Sequence, residues 1–281
     1  MDRNSAIGLT LIAALLLVYF YWFSGKPQPQ STQPAATESP AAHEPDSVRS
    51  ETPVMADSLL ASAYGDLSSF ARGEDKLTAV ETADLRIVFS SKGGIMREVE
   101  LKKYTTYSGK PLKLITAQTN EFHLLTEFEG KPVDLYNLYY TGSQTRKGDT
   151  TVMTFTAQMA DGSSISHVYS IPASGYQIRY SLRQKGLAEK FTGNNLTFLW
   201  NDKIIPMEKN LNDIRNNSTV TWYEVNEGFE KLKEASSGSE MESITQPLKW
   251  FSIKQKFFLS ALVAENSLSG GEMSTVNHTA D

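Results

Sequence analysis

From Leu77 to about Asp202 the chain is cut into short runs in which apolar and polar residues alternate, and turn residues close nearly every run. An alternation of period two puts successive side chains on opposite faces of an extended strand, so such runs fit a half-buried sheet and fit a helix poorly. The run 85–90 alternates Leu85, Ile87 and Phe89, and the run 95–101 sets Ile95, Val99 and Leu101 against Glu98 and Glu100. Further runs cover 112–115, 122–128, 151–159, 164–171, 176–182 and 196–202. Between them stand turn signals such as Ser108-Gly109, Glu129-Gly130, Lys147-Gly148 and Asp161-Gly162. Many short strands at this spacing predict a mainly β chain folded as a large antiparallel sandwich, and the lack of a fixed repeat argues against a propeller.

The N-terminus imposes a second constraint. Ala6 to Phe23 is eighteen residues without a charge, ten of them Leu, Ile, Val or Phe. That length nearly matches a hydrocarbon core about 30 Å thick, and each such residue favours insertion by roughly 0.3–0.6 kcal/mol. A cleaved signal peptide needs small residues after its apolar run, whereas this run ends Tyr19-Phe20-Tyr21-Trp22-Phe23. Tyr19, Tyr21 and Trp22 suit the membrane interface. The reading is a cytoplasmic N-terminus over 1–5 and an uncleaved transmembrane anchor over 6–23, with the body on the far side of the bilayer.

Residues 24–76 read as a linker. Six of the eleven prolines fall between Gly25 and Met55, among Gln, Ser, Thr and Ala, a composition that cannot bury enough apolar surface to order itself. A weak amphipathic helix is expected over 57–71. Residues 77–265 form the predicted β-domain and 266–281 a tail. Within the domain, 222–246 reads as polar and loop-rich. Residues 247–265 are apolar, but Lys254 and Lys256 would each cost roughly 3 kcal/mol in a membrane, so they read as a strand running into a short C-terminal helix.

Little here points to chemistry. A net charge of −5 argues against a nucleic-acid surface, and the absence of cysteine removes disulfides, thiolate nucleophiles and thiolate metal sites. Of four histidines, His123 and His167 lie on predicted strands without metal-site spacing and read as half-buried sheet residues. No nucleophile elbow or phosphate-cradling glycine loop occurs. The chain is therefore expected to be no enzyme and to need no cofactor or metal. Trp250, Phe251, Phe257 and Phe258, with Trp222 and Tyr223, form an aromatic group that reads either as core or as a surface for a partner or client.

Three stretches come in a telling order: the anchor "MDRNSAIGLTLI", then "LRIVFSSKGGIMREVELKKYTTYSGKPLKLI", then "WFSIKQKFFLSALV". In this order they resemble the N-terminal portion of the YidC membrane protein insertases of bacteria. The resemblance implies an inner-membrane protein whose first transmembrane helix is followed by a periplasmic β-supersandwich of mutarotase-like type. It also implies a role in inserting and folding newly made membrane proteins, alone or beside the Sec translocon with SecDF, without nucleotide or metal. By the same analogy Gly93 and Gly94 make the turn of an early hairpin. The family's insertase activity resides in a five-helix membrane core that this sequence lacks, so no groove residue is carried over. Two other readings stay open: a single-span periplasmic sugar-binding or mutarotase-like protein with His123 or His167 beside a glutamate, and an anchored chaperone or scaffold.

Overall fold

The computed structural model describes residues 57–193, 195–235 and 238–276. The run 6–23, with Tyr19, Tyr21 and Trp22, lies outside them. Among the described residues there are seventeen strands, all paired antiparallel, and no helix is long and apolar enough to cross a membrane.

The first sheet runs in sequence order through β1 (Leu77–Glu81), β2 (Leu85–Ser90), β3 (Ile95–Thr105) and β4 (Pro111–Ile115). A second is the meander β7 (Thr141–Lys147), β8 (Thr150–Gln158), β9 (Ser164–Pro172) and β10 (Arg179–Lys185). A third places β5 (Asn120–Phe128) between β11 (Thr197–Asp202) and β6 (Lys131–Asp134). The alternation seen in the sequence is the burial pattern: Leu85, Ile87 and Phe89 of β2 point inward, and so do Ile165, His167, Tyr169 and Ile171 of β9. These faces meet in one core, where the Phe89 ring lies 5.7 Å from Phe155 and 4.9 Å from Tyr169.

The N-terminal helical stretch joins this core. Helix α1 (Asp57–Tyr64) continues into a 3-10 turn (Gly65–Phe70), and each buries one leucine, Leu60 and Leu67. Sequence reading assigns both to the linker, but their one apolar stripe is satisfied only against the sheets.

The last third departs most from expectation. Residues 222–246, read as loop-rich, hold the second half of β12 (Thr219–Glu224) and all of β13 (Gly228–Lys231) and β14 (Ser239–Ile244). Among the described residues the expected short C-terminal helix is absent. Residues 248–268 form a hairpin of β15 (Leu248–Lys254) and β16 (Leu259–Leu268) in a four-stranded sheet ordered β13-β12-β15-β16. Residues read as tail supply β17 (Gly271–Val276), which pairs with β14. The segment "LSALVAE" carries good helix formers, but pairing with β15 outweighs local propensity. These two sheets share a smaller core of Trp222, Leu232, Ile244, Leu248 and Met273. A second helix, α2 (Leu211–Asn216), precedes β12, capped by the Asn210 side chain accepting from the Asp213 N–H.

Candidate functional site

The turn between β2 and β3 is built of Gly93 and Gly94, with φ of 78° and 58°. It is no free surface loop. The Gly93 N–H donates to the Leu138 carbonyl at 2.7 Å, and the Tyr169 hydroxyl donates to the Gly94 carbonyl at 2.7 Å. The turn is thereby wedged between β8, β9 and the segment 135–140. A cluster of Tyr136, Tyr140, His167, Tyr169 and Tyr180 closes over it.

His167 is wholly buried, where sequence reading has it half-buried. Its position in the inward row of β9 is the reason. Burial pushes its pKa down to about 3 and that of the Tyr136 phenol up to about 12, so both stay neutral at ordinary pH. His167 Nδ1 and the Tyr180 hydroxyl share a hydrogen bond of 2.8 Å, while Nε2 is buried without a hydrogen-bond partner. The imidazole instead meets the Tyr140 ring edge-to-face at 4.7 Å, a weak contact that offsets part of that loss. A neutral, enclosed imidazole of this kind serves packing.

His123 is different. It is partly exposed on β5, with Nδ1 2.7 Å from Asp134 Oδ2 and Nε2 3.2 Å from Glu121 Oε1. Asp134 also accepts from the N–H groups of Leu124 and Tyr136 and from the Asn137 amide, so it fixes the turn that leads into the tyrosine cluster. The Asp134 hydrogen bond is the main reason that the His123 pKa lies above its ordinary value. A histidine with a raised folded pKa contributes stability that is fully present below its unfolded value of about 6.5 and lost as pH rises through the folded value. Melting of the chain should therefore fall as pH climbs from about 6 through that value, and His123→Gln should flatten this dependence. An unchanged pH profile in the variant would exclude the His123–Asp134 pair as its source.

Neither histidine lines the trough of about 510 Å³ on the outer face of the first sheet, which is bounded by Leu77, Arg86, Arg97, Glu98 and Lys113 among others. Its central carboxylate is spoken for, with Glu98 held by Arg86 at 3.0 Å and by Lys113 at 2.7 Å. Among the described residues no group of three or more His, Asp or Glu is arranged to hold a metal ion.

The four C-terminal aromatics do not form one surface. Phe251 faces inward and packs at 6.3 Å from Phe198 and 6.4 Å from Trp200, tying the last sheets to the third. Phe258 sits edge-on to Tyr104 against the main core. Phe257 is exposed at the β15–β16 turn, with the Lys256 ammonium 4.8 Å from its ring. Trp250 lies on the outer face of its sheet, in a cross-strand row formed by Phe229, Tyr223, Trp250 and Val263. Phe229 escapes sequence reading because 222–246 carries no clear alternation, and Val263 because 247–265 reads as a strand running into a helix; only the register aligns them. Phe251→Ala should cost about 3–5 kcal/mol in stability, whereas Phe257→Ala should stay within about 0.5 kcal/mol of the parent in urea melts.

The model of the YidC periplasmic domain family matches residues 77–278. The chain belongs to the YidC family. The span that matches YidC opens at Leu77, the first residue of β1, and takes in all seventeen strands, β17 included. Over its full length the chain is 33% identical to a relative from Cytophaga hutchinsonii named membrane protein insertase YidC, covering 45% of that protein. Proteins of the same name from Amoebophilus asiaticus and Porphyromonas gingivalis are 28% and 27% identical, over 97% of this chain and 46% and 45% of theirs. The chain thus spans about half the length of the curated relatives it matches.

Proposed function

We propose that this chain is the membrane-anchored, periplasmic part of a bacterial insertase that inserts and folds newly made integral membrane proteins in the inner membrane. The observation that carries this reading is the match along the whole chain to relatives named membrane protein insertase. The apolar run 6–23 supports a single anchor, and the proline-rich composition after it supports a linker to the β-domain. In this reading the domain is a β-supersandwich of mutarotase-like type, used as a scaffold. The work of insertion is the transfer of polar groups into hydrocarbon, at roughly 2.5–3.5 kcal/mol for a charged residue on a helix at mid-bilayer, and it needs no bond-making step. We assign that work to membrane segments downstream and give the domain a docking role toward partners such as the Sec translocon and SecDF. The exposed Phe257 and the Trp250 row are its proposed contact points.

Two measurements test this. An antibody to residues 81–265 should detect, in a bacterial inner-membrane fraction, a band near twice the 31.2 kDa of this chain. A membrane-bound band at 31.2 kDa would favour a stand-alone anchored scaffold instead. Deleting residues 81–265 from the longer protein should weaken partner association more than insertion. Complete loss of insertion with the membrane core still folded would refute the docking role.

A further inference from the structure

Among the described residues no strand pairs with the outer side of β16, which closes its sheet at one edge. It is the longest edge strand described, at ten residues, whereas every other edge has seven or fewer. Long edges are normally blunted by charged side chains, lysine above all, by proline, by a bulge or by a covering segment. Lys131 and Pro132 do so in β6, Arg146 and Lys147 in β7, and Arg179, Arg183 and Lys185 in β10. In β16 lysine, arginine and proline are missing, and its one charge is Glu265. Pairing with β15 is regular from Leu259 to Val263 and then breaks, with Leu268 next in register. The open part is therefore Leu259-Ser260-Ala261-Leu262-Val263. Leu259 and Val263 are 56% and 66% exposed there, and Val263 ends the row that runs back through Trp250 and Tyr223 to Phe229.

We infer that this edge pairs with the same edge of a second copy of the chain, antiparallel about a two-fold axis at Ala261. Residues facing each other across such an axis must lie on the same face of the sheet, so the centre falls on a residue. The Ala261 centre sets Leu259 against Val263 and Ser260 against Leu262. Glu265 stays outside the paired stretch, so no like charges meet. The axis also joins two four-stranded sheets into one of eight strands, with both Trp250 rows on one face. A bilayer surface is a poorer occupant, because the two lysines nearest the β15–β16 turn are already bound, Lys254 to Glu234 at 2.6 Å and Lys256 to Asp213.

The chain has no cysteine, so single substitutions report cleanly. In the 281-residue chain in detergent micelles, Ala261→Cys should oxidise to a species of about twice 31.2 kDa on a non-reducing gel. Leu259→Cys alone should not, because its two copies would lie about 13 Å apart, four residues at ~3.3 Å each. A mixture of Leu259→Cys and Val263→Cys chains should cross-link. Light scattering should give the unmodified chain a protein mass of two copies, halved by Ala261→Lys with Val263→Lys, both at exposed positions. The inference is overturned if the unmodified chain is monomeric at about 100 µM. It is equally overturned if the lysine variant remains dimeric, or if Ala261→Cys links no faster than Leu259→Cys. A monomer that binds vesicles through Val263 would assign the edge to lipid instead. None of these readouts uses insertase activity, so their failure is separate from failure of the proposed function.

Discussion

Gly94→Ala is expected to lower the stability of the chain by about 3–5 kcal/mol. Two costs combine there. A side chain at φ 58° costs of order 1–3 kcal/mol. The added Cβ would also lie 2.8 Å from Phe155 Cβ and 3.2 Å from His167 Cδ2, and overpacking of this kind costs typically 1–3 kcal/mol more. Gly109 separates the two terms. Its φ is 76°, but nothing lies within 4 Å of the place a methyl group would take, so Gly109→Ala should lose only the conformational part, about 1–2 kcal/mol. Urea melts of both variants decide between them. Equal losses would mean that the turn is held by its backbone alone and that its insertion into the core carries no weight. Against a typical total stability of 5–15 kcal/mol, a loss of about 5 kcal/mol would remove at least a third of the margin.

The second large effect is expected at Trp222, which is 1% exposed at the centre of the smaller core. Trp222→Ala should cost about 3–5 kcal/mol. It also strips the buried Glu224 carboxylate of the indole N–H donated at 2.9 Å. The loss should be local first, because the smaller core has few other large side chains to close the gap. Native-state hydrogen exchange should show β12 and β14–β17 losing protection while β2, β3, β8 and β9 keep most of theirs. Uniform loss across all strands would show instead that the two cores unfold as one unit.

Both predictions concern places only half legible along the chain. The glycine pair at 93–94 announces a turn, since only glycine takes positive φ freely, but nothing local says that the turn is buried. That depends on Phe155, Tyr169 and Leu138, which are 44 to 76 positions away. His167 shows the same limit. Its place in the row Ile165, His167, Tyr169, Ile171 marks an inward position, but a polar residue in that row reads as half-buried until the Tyr140 and Tyr180 rings are seen around it. In β16 the failure runs the other way. Ala, Leu and Glu favour a helix in isolation, and the strand forms because β15 supplies a partner.

Three features can be read directly off the residues: the strand character of the first two-thirds of the domain, the apolar run at 6–23 and the resemblance to YidC. Each is a local or linear property, whether a period of two, an uncharged length or an order of segments. Folding had to settle the rest: which aromatic of the C-terminal group faces core or solvent, that most of 219–276 is sheet, and that β16 is an edge. Those properties depend on which strand lies alongside, and pairing between distant segments is set by the closing of the whole core, which no short window of residues contains.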